Sequence, residues 1–278
     1  MATLHKITSK TRRRLRWYAR VATAPWRPLP DFLVIGAQKS GTSALNAYLK
    51  QLPYVCQAIR KEVHYYDRRF DKSVAWYRAH FPLKSQIPKG AATDEGSPYY
   101  LAHPHVPKRI ANVQPNVKMI VLLRDPKKRA LSHYHMSVRK NREELPFEEA
   151  VRQEEKRIGE EWKKTLENDG YESVALRYYS YKLRGHYAEQ LRRYFQYFDR
   201  DQILVLSSGA LRHKTIETLA EICSFLGIPE PGPGFVPKPR GTSAYSRNID
   251  PETDRYLDEY FEPLNRDLYE LLGKDFGW

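Results

Sequence analysis

Cysteine is scarce in this sequence, where only Cys56 and Cys223 occur among 278 residues. Two cysteines exclude a disulfide framework, and they also exclude zinc or iron–sulfur sites built from several thiolates. We expect both to be free, buried thiols rather than a disulfide pair. Long apolar runs are missing too, and no stretch reaches the roughly 18 apolar residues of a membrane-spanning helix.

Acidic residues are missing from the first 30 positions, which hold eight lysines and arginines. Such a basic excess attracts nucleic acid, anionic lipid, polyanionic sugars or phosphorylated cofactors without choosing among them. The segment lacks the apolar core of a secretory signal, although a transit peptide stays open. We predict a flexible basic arm over residues 1–30, one domain over residues 31–278 and a cytoplasmic location. Peripheral membrane association through the arm stays open.

The rest of the chain has the pattern of an α/β domain. Short continuous apolar runs at residues 32–35, 118–123 and 202–206 predict buried parallel strands. After the first run, residues 42–52 have the apolar spacing of a helix. After the second run, Pro126 marks the start of another predicted helix. Strands that alternate with helices favour a parallel sheet. We therefore predict an α/β, P-loop-like three-layer fold with a central parallel β-sheet flanked by helices.

The first motif is Gly-Ala-Gln-Lys-Ser-Gly-Thr-Ser at residues 36–43, between the first predicted strand and its helix. Backbone N–H groups of such a turn and the helix N-terminus can cradle an anion. A nucleotide-kinase P-loop has lysine directly after its second glycine. Here Thr42 holds that position, and Lys39 lies inside the loop. The motif predicts an anion site, although a tight turn with a surface lysine would explain the glycines alone.

The second motif follows the second predicted strand, where Arg124 precedes Asp125 and Pro126. The carboxyl ends of strands are where open α/β sheets bind ligands. Ser132 comes two helical turns later, and a guanidinium with a hydroxyl can grip one phosphate. By itself, the motif would also fit an ordinary strand-end salt bridge and helix start.

In this order, the two motifs resemble those of the sulfotransferases that use 3′-phosphoadenosine-5′-phosphosulfate (PAPS). Two further segments are similar to the carbohydrate branch of that family, which is related to heparan sulfate sulfotransferases. They are Lys-Glu-Val-His-Tyr-Tyr-Asp at residues 61–67 and Glu-Gly-Ser-Pro-Tyr-Tyr at residues 95–100. The resemblance covers residues 31–278. It departs at Gly96, where many glycosaminoglycan enzymes carry lysine, and this departure argues against a direct assignment to heparan-type substrates. It also departs in the lack of a Golgi membrane anchor, so a soluble bacterial-type enzyme is expected, and an excised catalytic domain would also fit.

The resemblance implies a role for each motif. Glu62 would be the general base, His64 its supporting donor or acceptor, and Lys39 would stabilise charge on the oxygen that leaves sulfur. Without the resemblance, Glu62 would be read as a surface carboxylate paired with Lys61. No acidic pair suited to Mg²⁺ follows a strand, so no metal is expected. The implied donor-binding residues are Gln38, Lys39, Ser40, Gly41, Thr42 and Ser43 for the 5′-phosphosulfate, and Arg124, Ser132, Arg240, Gly241 and Thr242 for the 3′-phosphate.

The expected function is therefore transfer of the sulfuryl group from PAPS to a hydroxyl of a carbohydrate or other acceptor, which could itself be anionic. The reaction would be an in-line displacement with a glutamate base. Two alternatives stay open. A P-loop nucleotide kinase is disfavoured by Thr42 in the lysine position, and a basic nucleic-acid-binding protein would leave both strand-end motifs without a role. We expect no nucleic-acid partner.

Overall fold

The computed structural model describes residues 2–238 and 249–278, with side chains described from residue 11 onward. Within these residues, five parallel strands form one sheet in the order β2-β3-β1-β4-β5. The strands are β1 (Phe32–Gly36), β2 (Val55–Gln57), β3 (Ala92–Gly96), β4 (Lys118–Leu123) and β5 (Ile203–Ser207). The helices are α1 (Ala2–Ala22), α2 (Thr42–Leu49), α3 (Tyr65–Arg68), α4 (Val74–Arg78), α5 (Val106–Val113), α6 (Pro126–Arg139), α7 (Phe147–Arg152), α8 (Glu154–Glu167), α9 (Val174–Tyr179), α10 (Tyr187–Phe195), α11 (Ser208–His213), α12 (Thr215–Leu226) and α13 (Pro251–Leu272).

The sheet is covered by helices on both faces. Side chains alternate along a strand, so Phe32 and Val34 of β1 pack against α2 and α12, whereas Leu33 and Ile35 pack against the opposite layer. That layer comes from α3, α4, α5 and α10. Because both faces of the sheet are covered, successive residues of a strand are all buried, and this explains the continuous apolar runs in the sequence. The predicted three-layer α/β fold with a central parallel sheet is confirmed.

The central position of β1 determines where a ligand can bind. The chain leaves β1 for the edge strand β2, returns to β3, and then adds β4 on the other side of β1. Such a change of direction opens a crevice at the carboxyl ends of the neighbouring strands. The turns after β1 and after β4 both lead into this crevice. Gly36 ends β1 because a Cβ there would lie 2.5 Å from the Cβ of Leu101.

Local sequence signals explain most element boundaries. The predicted strand over residues 118–123 agrees with β4, and the carboxylate of Asp125 caps α6 by accepting from Lys127 N at 2.9 Å. The helix predicted over residues 42–52 ends earlier, at Leu49, because the chain then turns. No helix or strand occurs over residues 229–238. Arg240, Gly241 and Thr242, which the resemblance assigns to the 3′-phosphate, lie outside the described residues.

The basic arm differs from the flexible tail that its composition predicts. The backbone is helical over α1, and the ring of Trp17 packs edge-on against His80 at 4.8 Å between centroids. Arg20 donates to Ala79 O and Phe81 O at 2.6 Å each, and Arg27 donates to Phe81 O at 2.6 Å. These carbonyls follow the end of α4, where a helix leaves acceptors unpaired. The domain boundary at residue 30 stays a prediction.

We expect deletion of residues 1–30 to lower the thermal unfolding midpoint by roughly 5 °C or more, because each charge-assisted hydrogen bond contributes about 1 kcal/mol or more. Deletion of residues 1–16 is the matched control and should leave the midpoint unchanged, since these residues precede the packed part. Circular dichroism melts of the two proteins measure the difference. Equal midpoints for full-length protein and the longer deletion would show that the arm does not stabilise the fold.

Candidate active site

The turn between β1 and α2 presents backbone donors to the crevice. Ala37 N donates to Leu122 O at 2.8 Å, which attaches the turn to β4. Gly41 has a φ of 101° and leads directly into α2, so no side chain caps the first N–H groups of that helix. Thr42 is buried and Ser43 is exposed at the start of the helix. Free helix N–H groups beside a glycine turn form an anion-binding geometry.

A group of cations surrounds this turn. Burial, together with the positive charges of Arg139, Arg124, Lys140 and Arg129, lowers the pKa of Lys39 to about 8. Arg129 is itself fully buried, and its Nε and Nη1 have no hydrogen-bond partner in the described part of the chain. Burying a charge without a partner is costly. The turn therefore lies in an excess of positive charge that an anion would relieve.

The second motif reaches the first through Arg124. Its Nη1 donates to Lys39 O at 3.2 Å, across a sequence separation of 85 residues. Its own carbonyl accepts from the Tyr187 hydroxyl at 2.8 Å, which holds the end of β4 against α10. Ser132 lies on the buried side of α6. The fold thus brings both predicted donor-binding motifs to one crevice.

Gln38 and Ser40 are two further predicted donor-binding residues in the turn between β1 and α2. The Gln38 side-chain oxygen accepts from Arg184, and the guanidinium of Arg184 lies over the Tyr99 ring at 4.5 Å. Ser40 is almost completely buried. Sequence reasoning missed Arg184 and Arg129, because an arginine among lysines or at a helix start has the pattern of a solvated surface residue.

Four titratable side chains of residues 61–67 form a connected row that begins next to α2. They are Lys61, Glu62, His64 and Asp67. Lys61 Nζ lies 3.7 Å from Glu62 Oε1 and donates to Ser43 Oγ at 2.7 Å. Glu62 Oε2 lies 3.5 Å from His64 Nε2. The other ring nitrogen of His64 lies 2.7 Å from Asp67 Oδ2. Sequence reasoning missed Asp67, although its place one helical turn after His64 was a readable signal.

These contacts shift the proton affinities of the row. The bond to His64 and the charge of Lys61 outweigh burial and lower the pKa of Glu62. Burial alone would lower the pKa of His64, but the bonds to Asp67 and Glu62 outweigh it and raise that pKa. Glu62 is therefore ionised at neutral pH, while its carboxylate stays 40% exposed to the crevice. An ionised, reachable carboxylate can accept a proton from an incoming group.

The backbone of this segment is strained. Glu62 has a φ of 56° and His64 a φ of 58°, and both lie in the left-handed region that side chains with a Cβ disfavour. Each such residue costs of order 1 kcal/mol or more. Surrounding hydrogen bonds must therefore hold the segment in place.

The residues after β3 supply those hydrogen bonds, and we call Glu95, Ser97 and Tyr100 the clamp. Each clamp side chain accepts a backbone N–H of the strained segment. Glu95 is 1% exposed, burial raises its pKa to about 7, and Ser97 Oγ donates to the same carboxylate oxygen that Val63 N contacts. Because these contacts enclose the Glu95 carboxyl, we expect it to position the strained segment and not to contact an acceptor substrate. The clamp bonds are Val63 N to Glu95 Oε1 at 3.1 Å, His64 N to Ser97 Oγ at 3.1 Å and Tyr65 N to Tyr100 Oη at 2.9 Å.

His103 and His133 are buried side chains and do not belong to a metal centre in the described residues. Burial lowers the pKa of His103 to about 3, and His133 is fully buried with its ring 4.9 Å from that of Tyr181. Within residues 2–238 and 249–278, no group of three or more His, Cys, Asp or Glu side chains is arranged to hold a metal ion.

A protein-family model matches most of the chain. Residues 29–233 match the family model described as a sulfotransferase domain. The chain belongs to the sulfotransferase family. Among solved structures, the sulfotransferase from Alicyclobacillus acidocaldarius is similar with a TM-score of 0.71 and 28% identity, over 89% of this chain and 97% of that one. The mouse sulfotransferase SULT7A1 complexed with PAP has a TM-score of 0.51 and 14% identity over 89% of each chain, which shows the fold alone.

Curated sulfotransferases are similar along most of this chain. Human heparan sulfate glucosamine 3-O-sulfotransferase 3B1 is 29% identical, and the match covers 91% of this chain and 65% of the relative. The membrane-associated sulfotransferase kil1 of Dictyostelium discoideum is 27% identical, over 90% of this chain and 66% of the relative. The chain thus spans slightly less than two thirds of these relatives' lengths. In the part of this chain that the structure describes, no helix is long and apolar enough to cross a membrane.

We expect Glu95→Ala to release the strained segment, because the buried Val63 N–H would lose its acceptor. Amide hydrogen exchange should rise tenfold or more over residues 61–67, the scale of a lost buried hydrogen bond. Glu95→Gln keeps a carbonyl oxygen and should restore most of the protection. Exchange across β4 is the internal control and should not change. Unaltered exchange over residues 61–67 in Glu95→Ala would show that the clamp does not hold the segment.

Proposed function

We propose that this protein is a PAPS-dependent O-sulfotransferase that moves a sulfuryl group to a hydroxyl of a carbohydrate acceptor. One observation carries the proposal: Lys61 joins the ionised carboxylate of Glu62 to Ser43 at the start of the anion-binding turn. An acceptor base and an anion cradle thus share one crevice. Membership of the sulfotransferase family and likeness to enzymes named heparan sulfate 3-O-sulfotransferases support it.

The proposed donor site consists of the turn and the second motif. Lys39, Thr42 and Ser43 would hold the 5′-phosphosulfate, with Gln38, Ser40 and Gly41 shaping the turn. Arg124 and Ser132 would hold the 3′-phosphate. When bound, PAPS supplies the sulfuryl group and a leaving phosphate. The fit rests on the cations around Lys39, since burial and then these neighbouring positive charges lower its pKa, and a bound anion would offset the charges. The roles of Arg240, Gly241 and Thr242 stay predictions.

The proposed reaction uses Glu62 as the general base. Its carboxylate accepts the proton of the acceptor hydroxyl as that oxygen bonds to sulfur, and the bond from sulfur to the phosphate oxygen breaks. Lys39 stabilises the negative charge that gathers on the leaving oxygen. His64, held by Asp67, orients the Glu62 carboxylate. The bonds to Asp67 and Glu62 raise the pKa of His64, which favours a supporting role for His64 as a hydrogen-bond donor and leaves proton transfer to Glu62.

The acceptor is proposed to be a carbohydrate that could carry negative charge. Lys61 and Arg68 both contribute positive charge at Glu62, which suits an anionic sugar. We propose that the reaction needs no metal, because the cations of the crevice already neutralise the donor. A cytoplasmic location and a peripheral association of the basic arm with an anionic surface complete the proposal.

Ligand stabilisation and transfer assays test this function. The product nucleotide 3′-phosphoadenosine-5′-phosphate (PAP) should raise the thermal midpoint without Mg²⁺, whereas a kinase would respond to ATP with Mg²⁺. A nucleic-acid binder would respond to an oligonucleotide with a steep salt dependence. Radiolabelled sulfate from PAPS should then appear in a polysaccharide or glycolipid acceptor. Stabilisation only by ATP with Mg²⁺, or only by an oligonucleotide, would contradict the proposal.

We expect Glu62→Gln to lower transfer roughly 100-fold or more, because the amide cannot accept the hydroxyl proton. PAP affinity should stay unchanged, since the fold of the donor site is untouched. The lowered pKa of Glu62 means that wild-type activity should persist below the usual titration range of glutamate. Glu160→Gln on the exposed face of α8 is a matched control with full activity. Retained turnover in Glu62→Gln, with chemistry rate-limiting, would assign the base to another group.

The pKa of Lys39 predicts a pH-dependent PAP affinity. Anion binding favours the protonated amine, so affinity should be level below pH 8 and fall by up to about tenfold per pH unit above it. Calorimetric titration between pH 7 and 9.5 measures the slope. Lys39→Arg keeps its charge over this range and should give a level profile. A slope shared by both proteins would mean that Lys39 does not contact the anion.

A further inference from the structure

Helix α1 has a second face that the fold leaves uncovered. Trp17 and Arg20 turn toward α4, as described above, whereas Leu15 is 64% exposed and Tyr18 is 67% exposed. Residues three apart lie side by side on a helix, so these two form one apolar surface. Trp26, just beyond the helix, is also 64% exposed. Single exposed apolar side chains are ordinary, but an apolar pair on a helix free of acidic residues is not.

Arginines border this apolar surface on both sides. With about 100° per residue, Arg14 lies to one side of Leu15 and Tyr18, and Arg12 and Arg16 lie to the other. All three arginines are exposed, and none forms an ion pair within the described residues. The α1 sequence contains no aspartate or glutamate to neutralise them. The positive charge of this face is therefore unbalanced.

The sequence extends the same pattern toward the start of α1. Leu4, Ile7 and Thr11 precede Leu15 at intervals of three and four residues, which is helical spacing. Lys6 and Lys10 add two positive charges to this part of the sequence. An apolar stripe between basic residues, with low overall hydrophobicity, is typical of helices that lie in the headgroup region of a membrane.

We propose that this face of α1 binds the surface of a membrane rich in anionic lipid. The inference deepens the peripheral association included in the proposed function and does not depend on sulfuryl transfer. A polyanion such as heparin or nucleic acid would need only the arginines. The exposed Leu15 and Tyr18 favour a lipid surface, because only a membrane offers an apolar layer beneath its phosphates. The contacts of Trp17 and Arg20 with the domain mean that the helix is already formed and fixed before it binds.

Vesicle sedimentation with the full-length protein tests this surface, without nucleotide or acceptor. The wild-type protein should bind vesicles of phosphatidylcholine with about one third phosphatidylserine, and phosphatidylcholine alone should bind tenfold less or weaker. Leu15→Ser with Tyr18→Ser keeps every charge and should lose at least tenfold in vesicle binding. Arg12→Gln, Arg14→Gln and Arg16→Gln combined should also lose tenfold or more, at about fivefold per charge.

Two controls separate lipid binding from general charge effects. The combination Lys108→Gln, Lys156→Gln and Arg212→Gln removes three exposed charges elsewhere and should bind vesicles like the wild type. Heparin affinity should fall in the arginine variant but not in the serine variant. Thermal midpoints identify any variant that fails to fold. Full vesicle binding by the folded serine variant, or no preference of the wild type for phosphatidylserine, would overturn the proposal, whatever the outcome of the transfer assays.

Discussion

The placement of β1 between β3 and β4 is the constraint on which the site depends. Because the chain changes direction at β1, the turns after β1 and β4 open into the same crevice. Arg124 can then reach the carbonyl of Lys39 although 85 residues separate them. The same arrangement sets β3 on the other side of β1, so that its carboxyl end faces the segment carrying Glu62. One topological feature thus gathers both halves of the site.

Two energetically unfavourable arrangements occur at this crevice. Four cations contribute positive charge at Lys39, and Glu62 and His64 hold disfavoured backbone angles. Neither arrangement would persist in an isolated peptide. Burial and α10 hold the first, and hydrogen bonds from the residues after β3 hold the second. Unfavourable arrangements of this kind are typical of functional sites, where ligand binding or the reaction offsets their free-energy cost.

The basic arm connects this site to the outside of the molecule. Arg20 and Arg27 donate to carbonyls that follow α4, and Ile59, two residues before Lys61, donates to His80 O at 2.9 Å. The helix that carries the exposed arginines is therefore attached to the part of the domain that leads into residues 61–67. Composition alone could not separate a docked helix from a loose tail, because both are rich in basic residues.

The sequence by itself determined the α/β class, three of the five strands in the described residues, and the positions of the glycine turn and of the second motif at strand ends. These follow from short apolar runs, glycine spacing and helix caps, all of which are local. Only the tertiary structure decided that Asp67 backs His64, that Glu95 holds the strained segment, and that Arg129 lies buried. Those roles depend on contacts such as Val63 N with Glu95, 32 residues apart, which no local pattern encodes. Burial and charge are properties of the packed chain, so the pKa of Lys39 emerges only when the strands come together.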